Sequence, residues 1–251
     1  MRSLVYYTVG KSRKYIDILV LSLASLRAYS TVDILVICDE SFLDECKERC
    51  GNVSFMTCPD SKTPEEASMN KLKIFSYSRI HEYDRVLFLD SDILVHTHME
   101  PYFSKTTVPG ILYVYTETKK IQDHICNMWS LVGAYTAQDL MRFRTESIHV
   151  FNAGCFSFVR SDEMKNHFAN IQSMIASYKG PFFYEQSFMN VYFNKNNKTD
   201  RSLFTDNTYT FPPKGTRSYE GTLVHFAGSP GNGESKYAWM KSYLLDHLNT
   251  K

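Results

Sequence analysis

The sequence lacks three features that would assign it to a class at once. It has no apolar run near the roughly 18 residues that a membrane-spanning helix needs, and it opens directly into a strand pattern without a leader peptide. It has no excess of one charge, since 28 Lys and Arg residues balance 27 Asp and Glu residues. Such a balance gives no electrostatic attraction to nucleic acid or to an anionic membrane. We therefore expect a soluble, cytoplasmic protein with no transmembrane segment and no nucleic-acid partner.

Cysteine is sparse and unpaired in the sequence. The cysteines show no CxxC motif and are too few for a disulfide scaffold at this chain length. They are Cys38, Cys46, Cys50, Cys58, Cys126 and Cys155. Cys46 and Cys50 have the spacing of one helical turn, but zinc would require two further soft ligands. Reduced thiols in a cytosolic protein are therefore expected.

The two glycine-rich motifs that cradle phosphates, GxGxxG and GxxxxGK[ST], are also missing. The first part of the chain nevertheless alternates apolar strands with helical periodicity. Strands are predicted at residues 3–9, 33–38, 53–57 and 86–89, and helices at residues 15–29, 42–49 (with Ser41 as N-cap) and 69–79. This order predicts an α/β fold of the nucleotide-binding class, with a doubly wound, mostly parallel sheet flanked by helices.

The pattern changes after residue 95. Strands are predicted at residues 110–116, 150–159 and 222–226, and helices at residues 162–177, 183–193 and 236–248, with a polar stretch at residues 117–147. No internal repeat or clear linker occurs. A single domain over residues 1–251 is the simplest interpretation.

Asp90 and Asp92 follow the apolar strand at residues 86–89 with one residue between them. In extended backbone they share a face, at the end of the strand where open α/β sheets bind ligands. Two close carboxylates repel each other, and burial raises their pKa values unless a cation neutralises them. The motif therefore indicates half of a site for a hard metal ion, with open positions for a phosphate-bearing substrate. The structural alternative is an Asp-Ser-Asp turn that caps the next segment.

His225 ends an apolar strand and precedes a glycine-rich stretch that leads to Lys236. The glycines allow a backbone to approach a ligand closely, and the Lys236 ammonium could meet a diphosphate. An imidazole that joined two aspartates would favour manganese over magnesium. A histidine at a strand end is also commonly a structural hydrogen-bonding group.

Two further places carry polar side chains next to apolar segments. Asn152 and Gly154 lie at the start of a strand, where an amide could bind hydroxyls and the glycine leaves room for a sugar ring. Glu185 and Gln186 begin a helix and could face a reacting centre. From spacing alone, the favoured explanations are structural: a turn at Asn152, and at Glu185 an N-terminal acid that the helix dipole stabilises.

Together these motifs resemble glycosyltransferase family 8, the retaining transferases of GT-A fold, over most of the chain and in the same order. The matching segments are residues 8–15, Asn70-Lys71-Leu72, Phe88-Leu89-Asp90-Ser91-Asp92, Phe151-Asn152-Ala153-Gly154, Glu185-Gln186-Ser187 and His225-Phe226-Ala227-Gly228. Six motifs in the same order are a far more specific indication of this resemblance than any single motif.

The resemblance implies a nucleotide-diphosphate-sugar donor, most often a UDP-sugar, and a glycan or other hydroxyl acceptor. It implies manganese, with magnesium as the alternative, on Asp90, Asp92 and His225. The donor would contact Thr8, Val9, Tyr15, Lys71, Ser91, Asn152, Ala153, Gly154, Gly228 and Lys236, and Glu185 and Gln186 would lie beside the anomeric carbon. Residues 1–95 would then form the nucleotide-binding half and residues 96–251 the sugar- and acceptor-binding half.

Three positions depart from the family pattern. Glu185 stands where the family has Asp, Lys236 follows His225 by more residues than usual, and Ser12 stands at the position of a polar residue that members use for uracil. Two alternatives also remain. One is a non-catalytic nucleotide-sugar-binding protein of the same fold, and the other is a haloacid-dehalogenase-like phosphatase, whose Asp-x-Asp motif normally follows the first strand.

Overall fold

The computed structural model describes residues 1–120, 136–146, 148–179, 184–204, 208–210, 222–228 and 235–248. The glycine-rich residues 229–234 and Cys126 lie outside these ranges. No helix within them is both long and apolar enough to cross a membrane.

The main sheet has seven strands, in which buried apolar residues alternate between two covered faces. They are β1 (Ser3–Val9), β2 (Asp33–Asp39), β3 (Ser54–Cys58), β4 (Arg85–Leu89), β6 (Leu112–Lys120), β7 (His149–Val159) and β8 (Thr199–Asp200), while β5 (Ile93–Val95) belongs to a second sheet. Their order is β3-β2-β1-β4-β7-β6-β8. Pairing is parallel except where β7 runs antiparallel to β4 and β6. The predicted α/β fold with a mostly parallel sheet is confirmed.

A second sheet begins where β4 stops. It consists of β5 (Ile93–Val95), β10 (Leu223–His225) and β9 (Thr208–Thr210), in the order β5-β10-β9. β10 is antiparallel to β5, and His225 is opposite Ile93. The strand that follows the two aspartates is therefore joined to a strand from near the end of the chain.

Helices cover both faces of the main sheet, as expected for a mixed sheet whose strands are apolar on both sides. They are α1 (Lys14–Arg27), α2 (Leu43–Arg49), α3 (Pro64–Met69), α4 (Glu100–Lys105), α5 (Ala137–Thr145), α6 (Asp162–Ser177), α7 (Glu185–Lys195) and α8 (Lys236–Leu248). One apolar cluster joins α6 and α7 to the sheet, and the other joins α1 and α2 to its opposite face. α8 packs on α1 through a smaller cluster around Ile18, Phe226 and Met240.

Two local predictions are wrong. The helix predicted at residues 69–79 is instead α3 followed by a 3-10 segment, Asn70–Ser76. Thr63 caps α3 and Pro64 is its first residue. These helix-start residues lie before the apolar residues from which the helix was predicted. Ser41 does not cap α2; its backbone N–H donates to Asp60 instead.

Candidate functional site

Asp90 and Asp92 lie in a turn between the two sheets. Ile93 N donates to Asp90 O at 3.1 Å, so the backbone bends here and is not extended as the sequence predicted. Asp90 N donates to Gly154 O at 2.7 Å, and Phe226 N donates to Asp92 O at 2.9 Å. Bonds from β7 on one side and from the residue after β10 on the other therefore fix the turn. The carboxylates converge because the chain changes sheets at this point, not because strand side chains alternate.

His225 reaches the two aspartates from β10. Its Nε2 lies 3.1 Å from Asp92 Oδ1 and 4.0 Å from Asp90 Oδ2. One donor atom from each of the three residues falls within 4.8 Å of the others, and no other group of three such residues does so within the described ranges. The structure therefore brings together the three predicted metal ligands.

The donor set suits a divalent cation. Asp92 Oδ1 is buried and accepts no hydrogen bond from the described residues, although the His225 ring is close. Carboxylate oxygens and an imidazole nitrogen are ligands for manganese and related ions. At Gly154 an added Cβ would lie 2.7 Å from both Asp90 Oδ2 and His225 Cε1, so any side chain would push into the ligand atoms. The space between the three side chains thus depends on glycine at this position.

Lys71 forms a buried bridge between two carboxylates. Its Nζ lies 3.2 Å from Asp90 Oδ1 and 2.6 Å from Glu185 Oε1, and it donates to Ala153 O at 3.1 Å. It also lies 4.4 Å from the ring centroid of Phe88. Burial alone would lower the pKa of Lys71, but Asp90 and Glu185 outweigh burial and raise it. Lys71 is therefore a permanent cation at the base of the site.

The two aspartates have opposite pKa shifts. Burial raises the pKa of Asp90 and is offset only in part by Lys71. Burial acts in the same direction on Asp92, but the charges of His225 and Lys236 reverse its effect and hold the pKa of Asp92 below the usual carboxyl range. Burial opposes protonation of His225, yet attraction to Asp92 raises the pKa of the imidazole. The cluster is thus built to hold positive charge between its carboxylates.

Lys236 is the first residue of α8, and its ammonium contacts Asp92 Oδ2. The long spacing from His225 therefore does not prevent Lys236 from reaching the site.

On the other wall, Gln186 Oε1 accepts from Ala153 N at 3.0 Å and Asn152 Oδ1 accepts from Gly154 N at 2.7 Å. α7 and β7 are joined directly beside the metal candidates.

A cavity of about 410 Å³ opens at this edge of the main sheet. Most of the residues predicted for the site line it: Thr8, Tyr15, Lys71, Asp90, Ser91, Asp92, Asn152, Glu185, Gln186, His225, Gly228 and Lys236. Val9 and Ala153 are buried behind its wall, and Gly154 lies beneath the three ligand side chains. The sequence motifs thus meet at one cavity although they are spread along the whole chain.

Sequence reasoning missed several lining residues: Gly10, Lys11, Pro64, Ala67, Ser68, Tyr184 and Ala227. It also missed Asp39, a buried carboxylate at the end of β2 that accepts from Lys11 N at 2.7 Å and from Ser61 Oγ at 2.8 Å. Lys11 has a φ of 64°, a conformation rarely adopted by a side-chain-bearing residue, so Asp39 stabilises a strained loop at the cavity wall. A sequence signal for Asp39 was available, because Asp39, like Asp90, lies at the carboxyl end of a buried strand.

No family model and no curated protein matches the sequence. Solved structures do match. The galactosyltransferase LgtC in complex with donor and acceptor sugar analogues is 15% identical, covers 98% of this chain and 95% of its own, and gives a TM-score of 0.63. An active-site glutamine-to-glutamate mutant of LgtC is 15% identical, with 96% and 95% covered and a TM-score of 0.64.

The bifunctional glycosyltransferase WbbM, without ligand, is 14% identical. The match covers 99% of this chain and 50% of that chain, with a TM-score of 0.62. The chain therefore has the fold of these glycosyltransferases, and the predicted GT-A fold is confirmed. Identity this low shows the shared fold alone.

Proposed function

We propose that the chain is a metal-dependent glycosyltransferase of the family 8 type. It would transfer a hexose-type sugar from a nucleotide-diphosphate sugar, a UDP-sugar, to a glycan or other hydroxyl acceptor, with retention of anomeric configuration. One observation carries the proposal: Asp90, Asp92 and His225 converge at the cavity on the end of the sheet where α/β folds bind ligands. The shared fold with LgtC and WbbM supports it.

Asp90, Asp92 and His225 would hold the cation, which we propose to be manganese, with magnesium as the alternative. When bound, the cation would supply positive charge for the diphosphate of the donor and for the charge that develops on it as the sugar leaves. Lys236 lies beside Asp92 and would add a second positive charge on the same side.

We propose that Glu185 faces the donor sugar. Its Oε1 is bound to Lys71, and its Oε2 is buried and accepts no hydrogen bond from the described residues. A carboxylate fixed in this way can stabilise the oxocarbenium-like character of a sugar in the transition state. Glu185 and Gln186 are the residues that we assign to the reacting centre.

We propose the remaining donor contacts from the resemblance and from where each residue lies. We assign Thr8, Val9 and Tyr15, at the end of β1 and the start of α1, to the nucleotide base, and Lys71, Ser91, Gly228 and Lys236 to the diphosphate side of the cavity. Asn152, Ala153 and Gly154 would form the sugar pocket. Gly228 has a φ of 79°, which lets the backbone after β10 turn close to a ligand.

The test is a panel of nucleotide sugars incubated with the protein and manganese. We expect manganese-dependent release of nucleotide diphosphate from one donor, and chelation by EDTA should abolish it. A binding protein of the same fold would bind the donor and release nothing. A phosphatase would hydrolyse a phosphomonoester and leave the nucleotide sugar intact, and either result would refute the transferase.

A further inference from the structure

The carboxyl ends of three parallel strands form one edge of the main sheet. β1 lies between β2 and β4 and pairs in parallel with both. β4 leads into the metal candidates, and β2 ends in Asp39. Neighbouring strands lie about 4.8 Å apart, so Asp39 lies roughly 10 Å along this edge from the residues that follow β4. We name the two sides of the cavity its β2 end and its β4 end.

The two ends of the cavity differ in charge. Among the described residues, the carboxylates that line the cavity are Asp90, Asp92 and Glu185, all at the β4 end. The β2 end is lined by the loop after β1, the start of α1 and α3, through Gly10, Lys11, Tyr15, Pro64, Ala67 and Ser68. Of these residues only Lys11 is charged, and most are small or aromatic. The β2 end therefore suits the base of a nucleotide, and the β4 end suits its diphosphate.

Asp39 joins the two walls of the β2 end. Its side chain is 2% exposed and does not line the cavity. It accepts from Lys11 N at 2.7 Å, in the loop after β1. It also accepts from Ser61 N at 3.1 Å, from Ser61 Oγ at 2.8 Å and from Asn70 Nδ2 at 3.4 Å. Ser61 lies just before α3 and Asn70 just after it, so one carboxylate fixes the loop after β1 to both ends of α3.

The loop after β1 depends on this carboxylate for its shape. Lys11 has a φ of 64°, which is unfavourable for a residue with a side chain, and its N–H is held by Asp39. Gly10 packs against Asp39 and α3, since an added Cβ would lie 2.8 Å from Asp39 Oδ1 and 3.1 Å from Ala67 Cβ. The loop and α3 therefore meet at Gly10, and the separation of the two walls depends on Asp39.

The donors to Asp39 distinguish it from an ordinary buried acceptor. Each of the hydrogen bonds that its side chain accepts among the described residues comes from a segment that forms or flanks a cavity wall. Both oxygens take part: Oδ2 accepts from Lys11 N and Ser61 N, and Oδ1 accepts from Ser61 Oγ and Asn70 Nδ2. A change at Asp39 would therefore act first on the walls of the β2 end.

We propose that Asp39 is a positioning residue for the nucleotide: it sets the separation between the loop after β1 and α3, and so the affinity for the base of a nucleoside diphosphate, without touching the ligand. This role rests on the proposed function, because it requires a nucleotide in the cavity. It assigns part of the affinity for the base to a residue outside the cavity. A ligand that has the diphosphate but no base should not respond to Asp39.

Asp39→Asn tests this role with two ligands, UDP and inorganic pyrophosphate, titrated by calorimetry in the presence of manganese. In either orientation the amide places an NH₂ group against two of the donors, so the two walls are no longer held together. We expect the Kd for UDP to rise about tenfold, as preorganisation of the pocket is lost, and the Kd for pyrophosphate to stay within about twofold. Removing a negative charge would by itself tighten the binding of both anions, so charge alone cannot produce this selective loss.

Steady-state kinetics give a second readout of the same variant. The KM for the donor should rise by a similar factor while kcat stays within about twofold, since contacts to the base serve the ground state and the transition state alike. An unchanged Kd for UDP in Asp39→Asn would overturn the proposal. An equal loss for UDP and pyrophosphate would also overturn it, because the effect would then not be confined to the β2 end.

Asp139→Asn is the matched control. Asp139 Oδ2 accepts from Thr136 N at 2.9 Å and from Thr136 Oγ1 at 2.8 Å, and Asp139 does not line the cavity. The substitution is the same and disturbs the same kinds of hydrogen bond, so both Kd values should stay within about twofold of those of the unmutated protein. A tenfold loss of UDP affinity in this control would show that general destabilisation explains the result and would refute the role of Asp39.

If Asp39→Asn yields no folded protein, Ser61→Ala is measured in its place. It removes one donor on the α3 side of the carboxylate, and the Kd for UDP should rise about threefold with the Kd for pyrophosphate unchanged. The unmutated protein is titrated first. Its failure to bind UDP would refute the proposed UDP-sugar donor and the role of Asp39 with it, whereas normal UDP binding in the variants would refute the role of Asp39 alone.

Discussion

Asp92 lies between two basic side chains that come from the last part of the chain, His225 and Lys236. Its side chain is 12% exposed, so little solvent separates it from these two groups. The turn that carries it is fixed by backbone bonds that do not involve the carboxylate. The charge of Asp92 can therefore be removed without removing the turn.

Asp92→Asn should abolish transfer and leave the protein folded. The amide has the same shape, but it lacks the negative charge that a divalent cation requires. We expect initial rates to fall by at least about 100-fold, with a circular dichroism spectrum like that of the unmutated protein. Normal turnover in this variant would show that the cation is not needed at this position.

Glu185→Gln should lower turnover more than donor affinity. The amide can still lie near Lys71, but it cannot offer negative charge to a sugar with oxocarbenium character. We expect kcat to fall roughly 100-fold or more, and the Kd for the nucleotide sugar to change by less than about threefold. An equal loss in kcat and in donor affinity would indicate that Glu185 contributes to ground-state binding of the donor instead.

At the residue scale the sequence predicted the three metal candidates, because the paired carboxylates indicated half of a metal site and the order of motifs along the chain added His225. It did not predict how they meet. The turn at Asp90, the bridge from Lys71 to Glu185 and the support of Lys11 by Asp39 all join residues distant in sequence. Spacing along a chain carries no information about such contacts, which depend on how the strands are ordered in the sheet.

At the scale of elements, strongly patterned segments were predictable. β1 (Ser3–Val9), α6 (Asp162–Ser177) and α8 (Lys236–Leu248) match their predicted bounds to the residue. Short elements that depend on tertiary contacts were not predictable from the sequence pattern. β5, β8 and β9 contain three residues or fewer, and α5 begins with a capping box at Thr136 inside a stretch predicted only as polar.

α8 links stability to the site, because its first residue contacts Asp92 and its buried Met240 packs against Phe226 and Ile18. Met240→Ala should lower the free energy of unfolding by about 2–5 kcal/mol. It should also raise the KM for the donor, since a loosened α8 holds Lys236 less firmly. Chemical denaturation and steady-state kinetics measure the two effects.

Thr136→Ala is the control for this variant. It removes the cap of α5, which costs about 1 kcal/mol, and Thr136 does not line the cavity. Its KM should equal that of the unmutated protein. A Met240→Ala protein that was destabilised yet kept its KM would show that α8 does not position Lys236.

At the scale of the whole molecule, the site unites distant parts of the sequence. The loop after β1, the turn after β4, the strand β7, the start of α7 and the end of β10 all contribute to one cavity. The pairing of β5 with β10 brings residues 93–95 and 223–225 together. We propose that residues 1–95 serve the nucleotide and residues 96–251 the sugar and acceptor, within one domain.

A cation that binds only the folded protein should stabilise it. Manganese at 100 times its Kd contributes about 2.7 kcal/mol, which corresponds to a rise in Tm of about 5–10 °C for a chain of this size. Thermal unfolding with and without manganese measures this rise in Tm. Asp92→Asn should show no such rise, and an equal rise in that variant would indicate that manganese binds elsewhere.

The most direct measurement is a calorimetric titration of manganese into the unmutated protein, His225→Ala and Thr136→Ala. The structure places one imidazole and two carboxylates around one position, so a single site is expected in the unmutated protein and in Thr136→Ala. In His225→Ala the affinity should be at least about tenfold weaker. Equal affinity in all three proteins would contradict a cation held jointly by Asp90, Asp92 and His225.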